Sequence, residues 1–165
     1  MKLLEGSEKE EALHWLDEAV AVAQDATCER AKCGAIIVRE GEVIGRGINS
    51  PAGDESQRRC SIEKDSYDKK VTDKTCCVHA EQRAVMDALR SSPEKLRGAQ
   101  MYFARFYANG ERRLNGGKNQ LYCTICTKMM FDVGITDFIL AHEDGVADYP
   151  APEYLEKSFD YGKAS

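Results

Sequence analysis

Apolar and polar positions along the chain follow two periods. Leu13, Leu16, Val20 and Ala23 recur at three- and four-residue intervals, so residues 7–27 read as an amphipathic helix. Ser7-Glu8-Lys9-Glu10 has the form of a capping box, in which a hydroxyl and a carboxylate satisfy free amides at a helix start. His14 in that helix reads as a surface or packing residue rather than a ligand. Gly34-Ala35-Ile36-Ile37-Val38 and Glu42-Val43-Ile44-Gly45-Arg46-Gly47-Ile48 are short β-branched runs, and Glu40-Gly41 between them predicts a hairpin. Helical period returns over 79–91 through Ala80, Ala84, Val85, Ala88 and Leu89. Gln100 to Phe106 and Thr136 to Ala141 read as strands. Residues 123–133 read as a helix stopped by Gly134, and Pro152 to Phe159 as a last helix. Residues 49–75 carry Pro51, Gly53 and many charges without sustained apolar period, a long connection of the kind that is often functional. A polar stretch runs from Tyr107 to Gln120, with a small hairpin marked by Asn109-Gly110. The order α-β-β-α-β-α-β-α predicts an α/β fold, one sheet with helices against it, in a single domain over 1–165 with a C-terminal tail over 150–165.

Composition narrows the class. Of 165 residues, 42% are hydrophobic and 31% charged, which is enough apolar material for a core and excludes a disordered chain. No run approaches the roughly 18 apolar residues of a membrane span, and MKLLEGSEKEE lacks the apolar stretch of a signal peptide. We therefore expect a cytoplasmic protein without a membrane partner. The net charge of −5 argues against gripping a nucleic-acid backbone and favours a small-molecule substrate. Arg58-Arg59 and Arg112-Arg113 remain local clusters able to hold a single phosphate. Seven cysteines, an odd number, with no secretory signal read as free thiols or metal ligands rather than disulfides.

The chemistry concentrates in Cys77-Val78-His79-Ala80-Glu81 and Cys123-Thr124-Ile125-Cys126, each opening a predicted helix. Cysteines three apart on a first helical turn face the same way, so both sulfurs can reach one ion. Helix N-termini also favour the thiolate forms. With His79 the set becomes Cys₂His, a catalytic zinc set whose fourth position is left for water. Glu81, two residues beyond the histidine, is placed to move protons between that water and a substrate without binding the metal. Two other readings of the same residues stand beside this one. Cys123 and Cys126 form a redox pair, or they share a structural zinc with Cys76 and Cys77.

His79-Ala80-Glu81 followed by Cys123-Thr124-Ile125-Cys126 resembles the cytidine and deoxycytidylate deaminase superfamily. The resemblance runs from about Leu13 to Leu140. Gly34 to Val38 is similar to the family's first strand, and Gly47-Ile48-Asn49 to the glycine-x-asparagine ending its second. It implies a cytidine deaminase-like three-layer sandwich, a mixed β-sheet with helices on both faces. It also implies Zn²⁺ on His79, Cys123 and Cys126, hydrolytic deamination with Glu81 as proton shuttle, and assembly as a homo-oligomer. In the family's terms the Ala80 amide would hold the base carbonyl and Asn49 the sugar, although Asn49 also suits a simple turn role. A second, structural zinc would draw on Cys60, Cys76 and Cys77, with Cys28 or Cys33 as additions. Buried free thiols are the other reading of these cysteines.

The sequence also departs from the family pattern. Tyr122 precedes Cys123 where the family usually has proline, and the gap from His79 to Cys123 is longer than the pattern. The excess falls in residues 107–120, with Arg112, Arg113 and Lys118. It reads either as a lid contacting a substrate phosphate or as a surface loop. The resemblance points first to dCMP as substrate. Behind it stand another base deaminase, acting on tRNA adenosine or a free purine such as guanine, and a zinc scaffold without catalysis.

Overall fold

The computed structural model of the chain describes residues 1–28, 31–54, 77–116 and 123–160. The elements begin with β1 (Lys2–Leu3), α1 (Gly6–Gln24), β2 (Ala31–Arg39), β3 (Glu42–Ile48) and β4 (Ser50–Pro51). They continue with β5 (Cys77–Val78), α2 (Ala80–Ser91), β6 (Gln100–Tyr107), α3 (Thr124–Asp132), β7 (Asp137–His142), β8 (Gly145–Pro150) and α4 (Ala151–Asp160). Six strands form one mixed sheet in the order β1-β8-β7-β6-β2-β3, in which only β6 and β7 run parallel; β4 and β5 make a separate antiparallel pair.

Three layers follow from the alternation along the central strands. Ile36 and Val38 of β2, Tyr102 and Ala104 of β6 and Ile139 of β7 pack against Ala12, Leu16 and Ala19 of α1. Ala35, Ile37, Met101, Phe103, Phe138 and Leu140 point the other way, into a core shared with α2, α3 and α4 through Ala84, Val85, Met130 and Tyr154. That double coverage explains why β2 reads as an unbroken apolar run instead of alternating. The predicted hairpin forms at Glu40 (φ 53) and Gly41 (φ 75), two positive-φ residues that match the twist of the strands they join. Helix α2 lies so close on β3 that a Cβ at Gly47 would come within 2.1 Å of the Ala80 carbonyl oxygen.

The structure differs from the sequence expectation at the start of α1 and in four strands the expected order lacks, β1, β4, β5 and β8. Helix α1 begins at Gly6 with an extended Glu5 as its N-cap and no side-chain cap, so the predicted capping box at Ser7 does not form. The cause is β1, which pairs with β8 (Leu3↔Ala147) and continues in a Leu4 N–H to Val146 carbonyl bond of 2.9 Å. The chain thereby enters the helix early and leaves Ser7 inside its first turn. Strand β8 was also absent from the expected order. Asp148 and Pro150 interrupt its apolar pattern, and it is held instead by a tight return from β7 at His142↔Gly145. No helix among the described residues is long and apolar enough to cross a membrane.

Candidate metal centre and active site

Strand β5 delivers the chain into α2 by pairing with β4, Ser50 against Val78 and Pro51 against Cys77. One Arg83 guanidinium nitrogen donates to the Pro51 carbonyl at 2.8 Å and clamps the helix to that pair. His79 is the N-cap of α2, extended at φ −70 and ψ 151, and its amide donates to Gln82 Oε1 at 3.0 Å. Cys123 is the N-cap of α3, where its sulfur accepts from the Cys126 amide at 3.4 Å and its carbonyl from Thr127 Oγ1 at 2.7 Å. Helix α3 is tied in turn to α4 by Thr124 Oγ1 donating to the Ser158 carbonyl at 3.0 Å.

These two helix starts bring His79, Cys123 and Cys126 together, with donor atoms all within 4.8 Å of one another. His79 Nδ1 lies 3.2 Å from Cys126 Sγ and 3.5 Å from Cys123 Sγ. A tetrahedral ion with zinc–nitrogen and zinc–sulfur bonds of about 2.0 and 2.3 Å sets such donors about 3.5 Å apart, so the three residues fit zinc. The Cys126 thiol hydrogen-bonds to Cys123, and His79 and the Cys126 amide add to its effect. Together they outweigh burial and hold the Cys123 thiol down to about 4. A thiolate at neutral pH is the form a metal needs. Among the described residues this is the one such cluster of three or more His, Cys, Asp or Glu side chains.

Glu81 sits in the first turn of α2, only 6% exposed. Burial raises its carboxyl above the ordinary value, while His79 opposes the shift and Cys123 adds to it. A buried carboxyl beside a metal cluster is suited to taking up and releasing a proton. The Ala80 residue is fully buried between α2 and β3. Asn49 closes β3 against β2, with Oδ1 accepting from the Cys33 amide and Nδ2 donating to the Ala31 carbonyl, both at 2.8 Å. The turn role is thus visible.

The 107–120 segment is described as far as Gly116. Arg113 N–H donates to the Arg105 carbonyl at 2.8 Å and Tyr107 N–H to the Glu111 carbonyl at 2.9 Å, which forms the small hairpin with Phe106 opposite Arg112. The chain then crosses to β7, where Asn115 N–H donates to the Ala141 carbonyl at 2.9 Å. Asn115 is buried and its Nδ2 donates to the Tyr149 hydroxyl at 2.8 Å. This segment is therefore built onto the strand ends. It separates the two arginines. Arg112 shares the α1 face with Phe106 and lies within reach of the Asp17 charge, whereas Arg113 lies on the opposite face with its guanidinium 5.8 Å from the Tyr107 ring centroid.

The second-zinc residues Cys60 and Cys76 lie outside the described residues, as do Lys118 and Tyr122. Cys77 and Cys28 are half-buried, and Cys33 is buried with its thiol pushed up to about 12 by desolvation, then by Glu81. One neighbour of Glu81 went unnoticed in the sequence, Arg105, which pairs with Cys33 across β6 and β2. Strand alternation held the signal: Met101, Phe103 and Arg105 share one face, and a cation at the end of an apolar row stands out.

A three-layer α/β fold with a Cys₂His cluster at two adjoining helix starts, and a buried glutamate beside it, defines a zinc-dependent hydrolase of the deaminase type. Comparison with known proteins agrees. The cytidine and deoxycytidylate deaminase zinc-binding region matches residues 9–142, and the chain belongs to that family. Over 99 residues it is 34% identical to the deoxycytidylate deaminase of Mycobacterium phage D29, covering 56% of this chain and 75% of the phage protein. In fold it is similar to the dCMP deaminase of cyanophage S-TIM5 in complex with dCMP and dUMP, with a TM-score of 0.56 and 24% identity over 82% of each chain. A cytidine deaminase from Burkholderia pseudomallei has a TM-score of 0.53 at 17% identity, covering 86% of this chain and 94% of the other.

Proposed function

We propose that this chain, acting as one domain, hydrolyses dCMP to dUMP and ammonia. The observation that carries the chemistry is the buried Glu81 carboxyl beside the His79, Cys123 and Cys126 donors. The deoxycytidylate deaminase of phage D29, at 34% identity, supports the choice of substrate. A zinc ion held by those three residues would supply a Lewis acid that makes a water acidic near neutral pH. Glu81 takes a proton from the attacking water, and the oxygen adds to the ring carbon bearing the amine. The same carboxyl passes a proton to the ring nitrogen. The added hydroxyl then gives up its own proton, which Glu81 carries to the amine, and the carbon–oxygen double bond forms as the carbon–nitrogen bond breaks and ammonia leaves. The Ala80 amide, at the positive end of α2, holds the base carbonyl, and Asn49 holds the sugar. The acidic balance of the chain favours a free nucleotide over tRNA. We also read it as a homo-oligomer that works in the cytoplasm.

The test is ammonia release from dCMP, CMP, deoxycytidine, cytosine, adenosine, guanine and a tRNA anticodon stem, with Glu81→Ala beside the wild type. Turnover of dCMP above the others, lost in Glu81→Ala while zinc content stays the same, is the expected outcome. Preference for another member of the panel moves the substrate. Activity that survives in Glu81→Ala removes the proton-shuttle role.

A further inference from the structure

The nucleotide reading leaves open where the substrate's negative charge is held, and the next step rests on that reading. Strand β6 turns Met101 and Phe103 into the core beneath α2 and α3, and Arg105 takes the next place on that face. Its pair on β2 is Cys33, and its pair on the returning segment is Arg113, whose amide bonds to the Arg105 carbonyl. Two cations thus stand side by side on the face that carries the metal cluster.

Arg105 differs from the surface arginines. It is half-buried, and its Nε is shielded from solvent with no hydrogen-bond partner among the described residues. None of the ion pairs among those residues includes it. Its pair across the sheet, Cys33, donates its amide to Asn49 Oδ1 at 2.8 Å, which places Arg105 beside the strand end where Asn49 stands. Holding a guanidinium half out of water without a bonded anion is unfavourable, and an arriving anion would reverse that cost. The planar fork of arginine matches phosphate oxygens two at a time. Arg112 also has a shielded nitrogen without a hydrogen-bond partner among the described residues, but it lies on the other face of the sheet beside Asp17.

We propose that Arg105, with Arg113 beside it on the same face, forms the subsite that receives the phosphate monoester of the nucleotide substrate. Arg105 is a binding residue, and its removal should affect the charged substrate alone. The experiment compares wild type, Arg105→Gln, Arg105→Lys and Arg112→Gln on dCMP and on deoxycytidine, and measures calorimetric binding of dUMP and deoxyuridine. Arg105→Gln is expected to lower kcat/KM for dCMP by about 10- to 100-fold, chiefly through KM, and to weaken dUMP by a similar factor. Deoxycytidine turnover and deoxyuridine binding should stay at wild-type levels, as should everything in Arg112→Gln. If Arg105→Gln does not fold, Arg105→Lys keeps the cation without the fork and should lose several-fold on dCMP alone. Unchanged dCMP and dUMP values in the Arg105 variants overturn the subsite. A parallel fall for dCMP and deoxycytidine overturns it too, since Arg105 would then act through Glu81 or the fold. A wild type indifferent to the phosphate overturns the nucleotide reading along with it, and is recognised before any variant is made.

Discussion

The perturbation that tests most of the architecture at once is Gly47→Ala. An ideal Cβ on Gly47 would stand 2.1 Å from the Ala80 carbonyl oxygen, 2.4 Å from the Ala84 nitrogen and 2.9 Å from the Arg83 carbonyl carbon. All three are backbone atoms of α2, so no side chain can swing aside. Ordinary contact begins near 3.4 Å, and the first turn of the helix must therefore retreat from β3 by roughly 1 Å or the sheet must buckle. That turn carries Glu81 and follows directly on His79. The sulfurs would not follow, because α3 is anchored separately through Thr124 to the Ser158 carbonyl. The Nδ1–Sγ separations of 3.2 and 3.5 Å then open beyond what one ion spans. Metal sites tolerate about 0.2 Å of error, and a 1 Å misplacement at a reacting centre costs about 100-fold in rate.

Gly47→Ala is thus expected to lose about 2 kcal/mol of stability from overpacking, at least tenfold in zinc affinity and about 100-fold in ammonia release. Chelator competition reads the zinc affinity and urea denaturation the stability. Gly45→Ala is the control. Its Cβ would meet the Ala84 carbonyl oxygen at 2.4 Å and the Ala88 Cβ at 2.9 Å, further along the same helix. It should match the stability loss while keeping more of the zinc. A Gly47→Ala protein with wild-type zinc affinity, or a Gly45→Ala protein that loses zinc equally, would refute the claim that the α2–β3 contact positions the ligands.

Two further outcomes follow from single residues. Cys126→Ser should leave zinc well below one ion per chain after dialysis, and chelator treatment should no longer lower its Tm; metal content and melting curves check both. Asp148 gives a pH effect. Desolvation, then Asp137, raises its carboxyl from 3.8 to about 6, against the pull of Lys2 and the N-terminus and with a small push from Glu8. The folded chain therefore binds this proton more tightly than the unfolded one. Its contribution to stability is present below about pH 4 and is lost as pH rises through about 6. Asp148→Asn should raise stability by about 1 kcal/mol at pH 7.5, allowing for solvent screening of a half-buried group, and by almost nothing at pH 3.5. Urea midpoints at both values decide it, and an equal gain at the two would show that ionisation is not the cause.

Periodicity made the large elements readable. Helix α2 announced itself through Ala80, Ala84 and Ala88, and β2 through its unbroken run, because burial acts on every residue of such an element. The metal ligands were readable for a different reason. Cys123 and Cys126 are three apart in one helical turn, so local spacing alone puts that pair on one side, and His79 and Glu81 both stand at the start of α2. What distance along the chain brings together was not readable. The Arg105–Cys33 pair depends on sheet register across β2 and β6, and the α2–β3 approach depends on glycines that look in sequence like any others. Strand β8 escaped because its pairing, not its composition, holds it in place. The capping box failed because β1 pulled the helix start forward.

The longer gap between His79 and Cys123 need not disturb the metal centre. The segment after β6 first returns along its own strand through Phe106 and Arg112, then crosses to β7 through Asn115, whose side chain is bound to Tyr149. The cysteine pair takes its position from elsewhere. Met130 of α3 is buried in the core, and Thr124 is bonded to α4. One half of the pocket is therefore set by helices that the segment does not touch in these bonds, while the segment itself decides which side chains stand at the strand ends. Arg113 is one of them. An insertion fixed in this way can change what the pocket admits while leaving the zinc ligands where the chemistry needs them, which is why substrate preference is the property to expect it to govern.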